Sequence, residues 1–72
     1  MEFANLVKRL SDLLLLATVR KRVRTDVIEN KFVEVQQIYP AILAADISSG
    51  QREALVSLYH ECMRAYRKVL GR

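Results

Sequence analysis

A chain of 72 residues has room for one domain, and 51% hydrophobic residues with a net charge of +4 exclude a disordered chain. A core this small covers roughly 60% of the unfolded surface, so a disulfide, a metal or a second subunit is the usual supplement. Cys62 is the only cysteine and His60 the only histidine, which excludes a disulfide within the chain and leaves a structural zinc without a ligand set.

No cofactor is implied, and oligomerisation is the staple left over. No apolar run approaches the roughly 20 residues that span a bilayer. The run at 13–19 is followed by a basic cluster, where a signal peptide would need small residues for cleavage. The lone cysteine and the lack of an export signal predict a reducing, cytoplasmic setting.

A first helix is expected to begin near Glu2, whose charge suits a helix N-terminus, and to run to Arg20 or Arg24. Phe3, Leu6, Val7, Leu10, Leu13, Leu14 and Ala17 recur at spacings of three and four residues and fill one arc about 120° wide. The same arc then meets Lys21 and Arg24 and ends. A second apolar stripe opens on another side, through Leu15, Leu16, Val19 and Val23 and on towards Val27. Either one long helix changes the side it buries, or the helix ends between Val19 and Arg24. The second stripe is covered by the protein's own helices or forms a patch for a partner.

A second helix is expected from about Asp26. Thr25 and Asp26 are candidate N-caps, and Glu29 stands in capping-box position after Asp26. Its stripe is Ile28, Phe32, Val35, Tyr39, Ile42 and Leu43. Pro40 lies inside this run, but the stripe keeps its phase across it, which predicts a kinked continuation to about Ala45.

Residues 46–50 read as a loop, with Ser48 or Ser49 capping a third helix and Gln51 completing a capping box with Ser48. Over 51–70 the buried face is Leu55, Leu58, Tyr59, Cys62, Ala65, Tyr66 and Val69. Glu53, Ser57, His60, Glu61, Arg64, Arg67 and Lys68 form the solvated face, and Gly71 is the stop signal. The predicted fold is therefore all-α: a single domain of three helices, the second kinked at Pro40. The alternative arrangement is a helical hairpin that pairs into a dimeric bundle.

Charge is distributed in three blocks. Residues 1–24 carry six basic and two acidic side chains, 25–49 one and four, and 50–72 five and two. Attraction between neighbouring helices explains the alternation, and so does a basic surface for an anionic partner.

No catalytic constellation is present. His60 and Cys62 fall on nearly opposite faces of one helix, and the two glycines, Gly50 and Gly71, build no phosphate loop. Leu58 and Tyr59 are similar to the first two residues of the LYR motif of small mitochondrial helical adaptors. His60 replaces the arginine and the triplet lies late in the chain, so nothing is carried over.

The expected function is a non-enzymatic protein-interaction or adaptor module, as a homodimer or hetero-complex. Its contacts would be Leu15, Leu16, Val19 and Val23 with Arg20, Arg22 and Arg24 around them. The alternative is nucleic-acid binding through Arg20, Lys21, Arg22 and Arg24 with Arg64, Arg67 and Lys68. In a helix-turn-helix version, Gln51, Arg52 and Ser57 would be placed to contact bases. A membrane partner is not expected, because the basic first helix lacks Trp and carries Asp12 on its polar side.

Overall fold

The computed structural model describes residues 2–18 and 24–71. They form three helices: α1 (Glu2–Thr18), α2 (Thr25–Ala44) and α3 (Ser49–Leu70). The best-defined boundary is the one best written in the sequence. Ser48 Oγ accepts a hydrogen bond from the Gln51 N–H at 3.1 Å, and Gln51 Oε1 accepts one from the Ser48 N–H at 3.1 Å, so the predicted capping box is closed in both directions. At the far end Gly71 turns into the left-handed region at φ 71°, and its N–H reaches the carbonyls of Arg67 and Lys68. That conformation is costly for any residue with a Cβ, which is why a glycine ends α3.

The start of α2 departs from expectation. Arg24 is the N-cap residue, with extended backbone and no side-chain capping bond, so a helix unbroken from α1 into α2 is overturned. Asp26 lies inside the first turn, and its carboxylate meets Arg24 Nε at 3.2 Å instead of capping. The macrodipole rewards an acidic side chain anywhere in the first turn, so Asp26 suits the helix start without marking its first residue. α2 runs through Pro40 without interruption. Proline leaves the Gln36 carbonyl without its helical donor, and both residues are exposed to solvent.

α3 packs against both other helices, which touch each other less. Leu10 and Leu13 of α1 meet Cys62 and Tyr66 of α3 in that order, so these two helices are parallel. Phe32 and Tyr39 of α2 meet Tyr66 and Tyr59 in reverse order, so α2 is antiparallel to α3. The longest dimension is 37 Å, close to the rise of about 33 Å expected for 22 helical residues. The core is centred on Leu10, Val35, Ile38, Ile42, Leu55, Cys62 and Tyr66, each almost wholly buried.

Two stripe residues fall outside it. Leu43 and Val69 are about half exposed, and the buried positions that replace them are Ile38 and Met63. The cause is that each helix faces two neighbours. Ile38 lies one turn after Glu34, the residue that pairs with Arg9 of α1. Met63 lies one turn after Tyr59, which packs on Tyr39 of α2. A stripe centred on one neighbour misses the residues that fill the other side.

Candidate interaction surfaces

The end of the bundle where α1 closes also holds the start of α2 and the end of α3. Leu15 is 60% exposed there, although Leu13 and Ala17 beside it are buried. Leu16 is half-buried. It follows Arg9 by seven residues, two helical turns, and so lies on the same side of α1 as Arg9, which pairs with Glu34 at 3.9 Å. The two leucines thus differ: one is exposed, the other half-buried. Val27 and Val69, both exposed, belong to the same end. Arg24 is exposed and engages Asp26. Val19, Arg20, Lys21, Arg22 and Val23, also predicted for the partner or nucleic-acid surface, lie outside the described residues.

The second surface is the outer face of α3. Arg64, Arg67 and Lys68 are exposed and line one open concavity of about 570 Å³ with Tyr59, His60 and Met63. Among the described residues, none of the three cations forms an ion pair. Tyr59 is half-buried and stands between two other rings. Its centroid is 4.9 Å from that of Tyr39 and 5.4 Å from that of His60, the latter edge to face. Periodicity places Tyr39 and Tyr59 on core faces. It gives no sign that the two rings meet and that Tyr59 borders the basic residues.

Arg52 does not stand free for base contacts. Its guanidinium is occupied by four backbone carbonyls at the end of α2 and in the loop that follows, those of Ile42, Leu43, Ala45 and Ile47. The base contact that a helix-turn-helix version would give it is therefore corrected, and Gln51 is held in the capping box. An arginine four residues after a cap is ordinary on a helix surface, so spacing alone gave no warning.

Cys62 and Tyr66 are fully buried and donate to α1 backbone carbonyls: Cys62 Sγ to Leu10 O at 3.2 Å, Tyr66 Oη to Leu13 O at 2.7 Å. Burial, with Glu61 adding to it, pushes the Cys62 thiol up to about 11. Burial, then Cys62 and Glu34, pushes the Tyr66 hydroxyl up to about 12. Both groups are held protonated, which suits structural donors and not nucleophiles. His60 lies against Tyr59 on the surface, away from the buried thiol. Among the described residues, no three of His, Cys, Asp and Glu gather as a metal-binding group, and no helix is long and apolar enough to cross a membrane.

Comparison with known proteins finds no matching family model, no similar curated protein and no similar solved structure.

Proposed function

We propose that the chain is a non-enzymatic interaction module that docks a protein partner on the end of the bundle around Leu15. The observation that carries this reading is the exposure of Leu15 at 60% on a helix whose other side is fully packed. Leaving a leucine in water forgoes roughly 1.5–3 kcal/mol that its burial would contribute. Val27 and Val69 at the same end extend the apolar surface, and Arg24 supplies charge at its margin. Apolar contact would give affinity there, and charge would select the partner and its register. The partner is a second copy or another protein.

The test is absolute mass by light scattering across concentration and salt, joined to capture from the native host. A complex that Leu15→Glu dissolves, with helicity kept, supports the reading. A wild-type chain that is monomeric at every concentration and captures the same proteins as Leu15→Glu overturns it.

A further inference from the structure

We propose that the outer face of α3, which reaches the Leu15 end only at its last turn, binds single-stranded nucleic acid. Arg64, Arg67 and Lys68 would take the phosphates, and the His60–Tyr59 rings would stack against a base. Three observations carry this. The first is electrostatic. Arg64 stands three and four residues from Arg67 and Lys68, so like charges face each other along one side of the helix, and none is neutralised by an ion pair among the described residues. The helix dipole accounts for cations in the last turn, where Arg67 and Lys68 lie. It fades within that turn, so it does not account for Arg64, which stands three residues after the exposed Glu61 and forms no ion pair with it.

The second observation is the aromatic platform. Tyr39 supports Tyr59, and Tyr59 carries His60 edge to face, so the cations share their concavity with exposed ring surface. A basic groove beside aromatic rings is the chemistry that holds single strands, whose unpaired bases offer a π-face to any stacking partner. An acidic protein would satisfy the cations and leave the rings without a role.

The third observation separates single strands from duplex. A helix reading the major groove would present its N-terminal residues to base edges. In α3 those positions are committed: Gln51 closes the capping box, Arg52 binds carbonyls, and Glu53 places a negative charge outward. The recognition chemistry lies in the second half of the helix.

The experiment is fluorescence anisotropy with a labelled oligouridylate, at several salt concentrations, with the matching duplex and polyglutamate as competitors. Wild type should bind, and the triple variant Arg64→Gln, Arg67→Gln, Lys68→Gln should bind more weakly, with its log–log salt slope lowered by about 2. His60→Ala should weaken binding about five-fold with the slope unchanged, as expected for one lost stacking contact. All four positions are exposed, so the variants should fold, and circular dichroism checks that they do. Leu15→Glu should leave this binding unchanged, which keeps the test independent of the protein-docking proposal. No binding at low salt, or a triple variant with wild-type affinity and slope, overturns the proposal. Equal competition by duplex or polyglutamate also overturns it, in favour of a general anion or acidic-protein surface.

Discussion

Arg52 Nη1 donates to the Ile42 carbonyl over 2.6 Å and to Leu43 over 3.0 Å, while Nη2 reaches Ala45 at 3.1 Å and Ile47 at 3.4 Å. One side chain of α3 thereby reinforces the C-terminal end of α2, where backbone bonds from the Ala45 N–H to the Ile42 carbonyl at 3.4 Å and from the Ile47 N–H to the Ala45 carbonyl at 3.1 Å are also present. That helix ends without a glycine: Ala45 leaves it in extended conformation, and the last carbonyls have no Schellman turn to receive them. The guanidinium also fixes the loop between the two helices, since its four acceptors span residues 42–47.

Arg52→Met keeps most of the apolar stem and removes the donors. It should cost about 2 kcal/mol, within the range for hydrogen bonds to a charged group. Arg52→Lys should recover only part, because an ammonium lacks the planar fork. Urea midpoints of the two variants measure this directly. An Arg52→Met midpoint equal to wild type would show that water caps the carbonyls as well.

High pH should unfold the protein through two α3 donors. In the folded chain Cys62 is raised from 9.0 to about 11 and Tyr66 from 10.0 to about 12, mainly by burial. Between those values the unfolded chain loses its protons first, so unfolding releases protons and stability falls as pH rises. The contribution is fully present below about pH 9 and is lost towards pH 12. Tyr66→Phe should cost about 1 kcal/mol at neutral pH for the lost bond to Leu13. It should also flatten the decline above pH 10. Denaturation midpoints against pH, for both chains, carry the comparison.

The Cys62 thiol should be invisible to a thiol reagent while the protein is folded. It is fully buried, donates to Leu10, and is shifted away from ionisation. Its reaction rate at mildly alkaline pH should follow the population of open molecules and rise with urea in step with unfolding. A fast reaction in native buffer would mean that α1 lifts from α3 locally.

Ile38→Ala should destabilise by about 3 kcal/mol, as large-to-small changes in a packed core do. Leu43→Ala, at a half-exposed position, should fall within about 0.5 kcal/mol of wild type. This pair also marks the limit of what the sequence discloses. The helices, the third cap and the Gly71 stop were legible because each depends on residues within a few positions of one another. Which side of α2 faces inward was half legible: periodicity finds an apolar face but not the two neighbours it must serve, so Leu43 was favoured over Ile38. The Arg52 fork and the Tyr39–Tyr59 contact join residues ten and twenty positions apart on different helices, and no local spacing announces them. The α1 stripe is legible in the sequence: Leu6, Leu10, Leu13 and Ala17 lie in the core, and Phe3, Val7 and Leu14 pack against it.

Leu15 and Leu16, adjacent in sequence, should respond differently to the same substitution. Leu15 points outward, so Leu15→Glu exchanges an exposed apolar side chain for a solvated one and should leave the thermal midpoint of the monomer within error. Leu16 is half-buried. A carboxylate there loses part of its hydration, and the lost apolar contact adds to the cost, for a total of about 1–2 kcal/mol. Nor is relief available from Arg9 on the same side of α1, which lies two turns away and already faces Glu34. Thermal melts at low protein concentration compare the two variants as monomers. A loss from Leu15→Glu as large as that from Leu16→Glu would place Leu15 in the core. The end of α1 would then have no free apolar surface for a partner, and the proposed docking site would fall with it.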